Sequence, residues 1–529
     1  MPIMSPHPDV EIPDVSLYEF LFTSLEDSEL DRIALIDGMT GAETTYRDLL
    51  AQINGIAGAL AARGIAPGDV VAIHAPNIPA FVPVFHGILR AGAVATPVNA
   101  LYKADEIADQ LRDSGAKLIF TISPLLEQAR SGAIAAGLSN DQVVVLDGAE
   151  GHSSLRDLLA ERKSAPEVHI NSATHVAVLP YSSGTTGKPK GVMLSHRNLL
   201  ANVAQAAPIV GVTRDDRVVA ILPFTHIYGL TVLLNISLAK RATLITMPRF
   251  DLAEFLRIVQ DLRATYVFIA PPMAVALAKH PLIDEYDLSS LHTLLSGAAP
   301  LDGILGAAVS RRLSVRMRQG YGMSEMSPIS HAIPFDREDI PLGTIGLALP
   351  NIAFKLIEPA TGNEIPMPAE GTSEAGELLV RGPNIMLGYL GNTSATRETL
   401  DADGFLHTGD LATVSAEGYV TIVDRLKELI KYKGHQVAPA ELEALLLTHP
   451  MIVDAAVIGV HDEEGQEVPK AFIVPRPGAD LSAEAVMEFV AEHVAPYKKV
   501  RQVAFIDAVP KSSAGKILRK DLRAQEVNA

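Results

Sequence analysis

The chain has 529 residues, 48% hydrophobic and 20% charged, with a formal net charge of −18 and no cysteine. That length exceeds what one hydrophobic core organises, so two or more domains are expected, and the acidic balance disfavours a nucleic-acid partner while suiting a soluble surface. Without cysteine there is no disulfide, thiolate metal site or cysteine nucleophile, so any thioester chemistry needs an external thiol.

The opening MPIMSPHPDVEIPDVSLYEF has neither a basic start nor an apolar run. No apolar stretch is long enough to span a bilayer, and the closing RAQEVNA carries no targeting signature, so a cytoplasmic protein without membrane insertion is expected. TTYRDLLAQINGIAGALAARG reads as an amphipathic helix closed by Gly64, and GDVVAIHAPN as a buried strand with a turn. FVPVFHGILRAGAVATPVN reads as helix, glycine and strand; KLIFTIS and QVVVLD are further short strands. Apolar strands alternating with helices indicate parallel α/β layers covered on both faces.

HVAVLP then runs as a strand into YSSGTTGKPKG at 181–191. A Walker loop, G-x-x-x-x-G-K-[ST], needs a glycine and a hydroxyl at the places where Ser182 and Pro189 stand when the motif is aligned on Gly187-Lys188. Pro189 also keeps Lys188 from helical angles, so a helix cannot begin there in the Walker manner. Phosphate can be gripped by another route. Gly184 lets the backbone approach an anion, Ser182, Ser183, Thr185 and Thr186 supply hydroxyl donors, and Lys188 or Lys190 a positive charge.

Further along, LPFTHIYGL at 222–230 presents His226 and Tyr228 after a strand, and LLSGAAP at 294–300 and QGYGMSE at 319–325 are glycine-rich turns after apolar runs. From about residue 340 the texture becomes β-rich, with TIGLALPNIAFKLIEP, GELLVRGP and GYVTIVD, which suggests a smaller β subdomain. FLHTGDL at 405–411 ends in an acidic turn. VDRLKELIKYKG at 423–434 opens a last unit of about one hundred residues, enough for a separate small α+β domain, which closes on PKSSAGKILR at 510–519.

Taken in this order, these segments resemble the adenylate-forming ligases, and among them the 4-coumarate–CoA ligase family with its bacterial cinnamate–CoA ligases, over roughly residues 15–525. The resemblance implies an α/β fold: a large N-terminal domain, 1–426, of stacked α/β subdomains plus a β subdomain, then a small mobile α+β domain, 427–529. It implies that a carboxylate attacks the α-phosphorus of ATP, that pyrophosphate leaves, and that the thiol of coenzyme A then attacks the acyl-adenylate. Charge neutralisation and positioning must supply most of the catalysis in the first step.

By the same resemblance the residues take roles. The loop Ser182, Ser183, Gly184, Thr185, Thr186 with Lys190 holds the ATP phosphates, and Ser324 contributes a hydroxyl. Ala298, Gln319, Gly320 and Tyr321 line the adenine slot; Asp410 and Arg425 meet the ribose; Lys427 stands at the hinge. Glu325 is the Mg²⁺ ligand, a hard oxygen donor near phosphates. Lys516 is the catalytic lysine of adenylation, while Lys431 and Gln436 belong to the thioester-forming face. Lys433, Gly434 and Arg249 contact CoA.

His226 and Tyr228 form one wall of an acyl pocket, with Val232, Gly297, Gly322, Pro328 and Ile329 around it. Glycine at two wall positions is expected to leave room for a flat ring. No Arg, Lys or Asp balances a second substrate charge, so a neutral apolar tail is expected. Aryl propenoates fit, as do medium-chain fatty acids or aryl-alkanoates; a stand-alone adenylating enzyme with an acceptor other than CoA is a further alternative. Three positions depart from the family pattern: Ser324 for Thr, Phe405 for Trp, and His435 for an aromatic. Oligomeric state is not legible.

Overall fold

The computed structural model describes residues 1–182, 189–432, 435–462, 466–512 and 515–527, with the side chains of His435, Gln436 and Val527 excluded. Its large N-terminal domain stacks two mainly parallel sheets beside a third, antiparallel one, and a small C-terminal domain follows.

The first parallel unit is built around the strands Val70–Ile73, Val94–Pro97 and Ala116–Thr121, with Val143–Val145 at one edge and Val176–Val178 and Lys190–Ser195 toward the other. The helix Tyr46–Ala62 packs on the helix Phe81–Arg90 for the reason its pattern gives. Leu49, Ile53, Ile56, Ala57 and Leu60 recur on one stripe and are buried, and the Thr45 side chain accepts the Asp48 N–H at the start. Gly64 follows the helix at φ +81°, a turn that other residues adopt only with strain.

The second sheet repeats the design with strands Arg217–Ala220, Thr243–Thr246, Tyr266–Ile269, Thr293–Ser296 and Arg316–Gly322 in parallel register. The β-rich stretch seen in the sequence becomes the antiparallel strands Ala353–Ile357, Gly376–Arg381, Leu406–Val414 and Val420–Arg425. The N-terminal segment adds an unanticipated edge strand, Ile3–Met4, to this third sheet. One continuous core runs through all three units.

The helix His196–Val210 sits where they meet. Its buried amides act as staples: Asn198 Nδ2 donates to the carbonyls of Pro383 and Ile385, Gln205 Nε2 to that of Pro350. Asn202 clasps one residue by both its main-chain groups, donating to Ile329 O at 2.6 Å and accepting from Ile329 N at 3.1 Å. Each staple satisfies main-chain groups that the irregular segments leave without ladder partners.

The C-terminal domain has its own core around Leu442, Leu446, Ile452, Val457, Ile473 and Val490. It comprises the hairpin Ile430–Tyr432 and His435–Val437, the strands Ile452–His461, Glu467–Pro475 and Gln502–Phe505, and the helices Pro439–Thr448, Ala483–His493 and Arg519–Val527. No helix among the described residues is long and apolar enough to cross a membrane.

Candidate active site

The cleft lies where turns after the strands of the second sheet meet the third sheet and the C-terminal domain, the usual crevice beyond the carboxyl ends of parallel strands. The segment that presents His226 runs into a π-helical stretch, Tyr228–Asn235. Gly229 is obligatory there, because a Cβ would stand 2.2 Å from Pro223 O. His226 Nδ1 accepts the Tyr228 N–H at 3.3 Å, which puts the imidazole proton on Nε2. Burial, and secondarily the Lys516 ammonium, push the His226 pKa down to about 4, so the ring is a neutral donor near neutral pH.

Lys516 comes from the far end of the chain and meets this cleft. Gly515, at φ +81°, brings its turn against Pro272 and Ala270, with an added Cβ 3.3–3.4 Å from them. Desolvation first, and Arg425 second, push the Lys516 pKa down to about 8 against the opposing pull of Asp410 and Glu428. Lys516, His226 and Asp410 are thus brought together from segments more than one hundred residues apart, Asp410 lying within the strand Leu406–Val414 rather than in the expected turn.

Asp410 is held on both oxygens. Tyr321 Oη donates to Oδ2 at 2.5 Å, and Arg425 Nε lies 3.2 Å from Oδ1. Burial and the Asp410 carboxylate raise the Tyr321 pKa well above the ordinary phenol value. Ala298 takes φ +70° in its turn. Gln319, expected at the adenine slot, has its side chain fully committed: Oε1 accepts the Leu301 N–H, and Nε2 donates to Leu342 O and Thr344 O. Its amide is therefore spent on main-chain groups, leaving only its own main chain to meet a ligand. Gly320 packs under Ile329, whose Cδ1 would stand 2.9 Å from an added Cβ.

Glu325 is buried on the short turn Ser324–Met326. Its Oε1 accepts the Tyr389 hydroxyl at 2.7 Å and the Ser182 hydroxyl at 3.3 Å. Lys190 lies over the same tyrosine ring, 4.8 Å from its centroid, because the strand Gly388–Tyr389 pairs with Lys190–Ser195. Sequence reading missed Tyr389. Its local signal is only a Gly-Tyr pair after an apolar run, and its role arises from the strand pairing.

The expected acyl wall needs one correction. Glycine at 297 and 322 was expected to leave room for a ring, but the protein itself fills both spaces. A Cβ on Gly297 would meet Tyr228 Cε1 at 2.8 Å, and one on Gly322 would meet Pro328 O at 2.1 Å. These glycines permit close packing of the wall on itself. Tyr228 is buried with its hydroxyl on Leu295 O at 3.1 Å, and Val232 and Ile329 are buried as well.

The remaining expected residues are more scattered. Arg249 is exposed on the loop before the helix Leu252–Asp261, and Lys427 is exposed between Arg425 and Glu428. Lys431 is exposed on the C-terminal hairpin, its N–H on Glu467 Oε2 at 2.8 Å, paired in register with Gln436. Ser183, Gly184, Thr185, Thr186 and Lys188, and likewise Lys433 and Gly434, lie outside the described residues.

The AMP-binding enzyme model matches residues 22–390, and the AMP-binding enzyme C-terminal domain matches 441–516. The chain belongs to the AMP-binding enzyme family. It is 41% identical to 4-coumarate–CoA ligase 5 of Oryza sativa subsp. japonica, over 98% of this chain and 96% of that one. With 4-coumarate–CoA ligase 1 of Petroselinum crispum the identity is 41% over 98% and 95%. Among solved structures, the anthranilate CoA ligase AuaEII in complex with anthranoyl-AMP superposes with TM-score 0.89 at 26% identity, covering 98% of each chain. ATP-bound MatB from Rhodopseudomonas palustris gives 0.87 at 30%, covering 97% of this chain and 99% of that one. This AMP-binding enzyme is an AMP-forming acid–thiol ligase of the 4-coumarate–CoA ligase group.

Proposed function

We propose that the ligase converts cinnamate- and 4-coumarate-type acids to their CoA thioesters through an acyl-adenylate, with Lys516 serving the first half-reaction. The observation that carries this reading is the enclosure of Lys516 against His226 and Asp410. An ammonium there faces the place where a carboxylate oxygen attacks the α-phosphorus, and it offsets the charge that gathers as the bond to the pyrophosphate oxygen breaks. His226, protonated on Nε2 and neutral, donates a hydrogen bond to the reacting carboxyl group without adding charge. Asp410 and Arg425 orient the ribose, Ala298, Gln319, Gly320 and Tyr321 line the adenine, and Ser182 with Lys190 meets the polyphosphate.

The donor set fits Mg²⁺. Glu325 is a buried hard oxygen ligand whose Oε2 accepts no hydrogen bond among the described residues, and a single carboxylate beside substrate phosphates is how this ion is commonly held. Bound there, the ion would neutralise phosphate charge. Tyr389 and Ser182 fix the orientation of the carboxylate.

We place the hinge between half-reactions at Lys427, with 1–426 as the adenylation domain and 427–529 as the moving one. Rotation would withdraw Lys516 and present Lys431, Gln436, Lys433 and Gly434 to CoA, with Arg249 on a CoA phosphate. Cytoplasmic location and a role in phenylpropanoid metabolism belong to the same reading. Its test is CoA-thioester formation with ATP and Mg²⁺, comparing kcat/KM for cinnamate, 4-coumarate, ferulate and octanoate. Preference for the aryl acids supports the pocket reading. Preference for octanoate keeps the chemistry and makes the enzyme a medium-chain acyl-CoA synthetase, the second reading that a neutral, apolar wall of Tyr228, Val232 and Ile329 favours.

A further inference from the structure

The helix Pro439–Thr448 is the first of the C-terminal domain, and both its ends are held by the large domain. Its N-cap residue, Ala438, offers no side-chain acceptor. The missing acceptor comes from Asp424, on the last strand of the third sheet, whose Oδ2 takes the Ala440 N–H at 3.0 Å while Oδ1 takes the Arg425 N–H. At the other end Lys279, last residue of the helix Pro271–Lys279, donates from Nζ to Leu447 O at 3.4 Å. A carboxylate at the N-terminus and an ammonium at the C-terminus both complement the helix dipole and satisfy groups the helix cannot satisfy itself.

The clamped helix is in turn tied to the catalytic lysine. Glu443, midway along it, accepts from Arg519 Nη2 on both oxygens at 2.7 Å, three residues beyond Lys516, and its Oε1 also accepts the Val457 N–H at 2.8 Å. Arg523 in the same final helix pairs with Glu428, just beyond the proposed hinge. The helix Pro271–Lys279 serves the seam at both ends, since Pro272 also supports the Gly515 turn. One group opposes the clamp. Arg476 of the C-terminal domain lies near enough to Lys279 to lower its pKa, adding to the effect of burial.

We propose that Asp424 and Lys279 are positioning residues for adenylation: by holding the two ends of the helix Pro439–Thr448 they set the C-terminal domain where Lys516 enters the cleft. The inference rests on the reading of Lys516 and Lys427 given above. Both contacts cross the proposed hinge, so they exist only in the adenylating arrangement and bias the enzyme toward it. Neither residue touches a reacting atom.

The test uses the full-length enzyme. Because the chain has no cysteine, Ile304→Cys and Glu484→Cys, both at exposed positions, accept a donor–acceptor dye pair without background. Lys279→Met should shift the dye distances toward the open arrangement and slow acyl-adenylate formation about two- to fivefold. Thioester formation from supplied acyl-adenylate and CoA should be unchanged or faster. Asp424→Ala should do the same by about fivefold, and Lys279→Arg should restore the parental values. Unchanged dye distances, or equal loss of both half-reactions, would overturn the proposal; the exposed Lys279 keeps it decidable if the Asp424 variant does not fold. Lys516→Ala, assayed beside them, separates the two readings. If it retains adenylation, the role of Lys516 falls, whatever the dyes report for Lys279→Met.

Discussion

Tyr321 and Asp410 are bonded to each other, hydroxyl to carboxylate at 2.5 Å, in the place where a ribose is expected to bind. A ribose diol approaching Asp410 must compete with this phenol. Tyr321→Phe keeps the flat ring and removes the competitor, so AMP should bind about fivefold tighter, corresponding to ~1 kcal/mol. Tyr321→Ala should weaken it through lost stacking. Calorimetry with AMP measures both, and a phenylalanine variant that binds AMP no tighter would show that the hydroxyl is not in the way.

Lys516 makes nucleotide binding pH-dependent in a definite direction. Enclosure pushes its pKa from the ordinary 10.5 to about 8, so above pH 8 the side chain is mostly neutral before ATP arrives. A polyphosphate favours the ammonium and raises the pKa again. ATP binding should therefore take up protons at pH 8–9, and affinity should fall as pH rises through about 8. Titrations in buffers of different ionisation enthalpy read the uptake, which should vanish in Lys516→Met. In the unliganded enzyme the sign is opposite: enclosure penalises only the charged form, so the closed arrangement gains as pH rises from about 8 toward 10.5.

Tyr389 holds Glu325 at 2.7 Å and lies under Lys190. Removing its hydroxyl leaves the ring and the cation contact but frees the carboxylate to rotate. Tyr389→Phe should raise the Mg²⁺ concentration for half-maximal ATP binding about tenfold. A calorimetric Mg²⁺ titration tests this apart from turnover, and an unchanged Mg²⁺ requirement would remove Tyr389 from the metal's support.

The two wall glycines should respond differently. Gly297→Ala drives a methyl into the Tyr228 ring, a side chain that can yield by turning; if that ring lines the acyl pocket as proposed, KM for aryl acids should rise about tenfold, ~1.4 kcal/mol, with AMP binding kept. In Gly322→Ala the obstacle is the backbone carbonyl of Pro328, which yields only by moving the chain, so the effect should appear in folding stability at about 1–3 kcal/mol. Thermal melts beside kinetics distinguish the two, and a Gly322→Ala enzyme of parental Tm would contradict the packing described here.

Glu325, Asp410 and Lys516 could be nominated from sequence because each lies in a short glycine-containing motif, QGYGMSE, HTGD and SAGK, where local spacing carries the pattern; Asp410 itself lies within the strand Leu406–Val414 rather than in the expected turn. The helix Tyr46–Ala62 and the parallel layers followed from periodicity alone. What escaped notice depends on distant pairing. Tyr389 meets Glu325 from 64 residues away and Lys279 meets Leu447 from 168, and neither lysine nor tyrosine differs in sequence from its surface counterparts. The purpose of Gly297 and Gly322 was misjudged for the same reason: a missing Cβ shows that space is needed, and only the neighbours show what occupies it.

The double clasp of Asn202 on Ile329 joins the proposed acyl wall to the helix that staples three units together. Inheritance of a new substrate preference and retention of a foldable chain are therefore not separate matters in this lineage. A change that reshapes the Pro328–Ile329 rim must still present one carbonyl and one N–H to the same amide, or strand both ends of that amide in the core. Drift at the pocket mouth should thus run through side-chain volume at fixed backbone, and specificity in descendants of this enzyme should diverge by exchange of Val232 and Ile329 long before the rim itself is rebuilt.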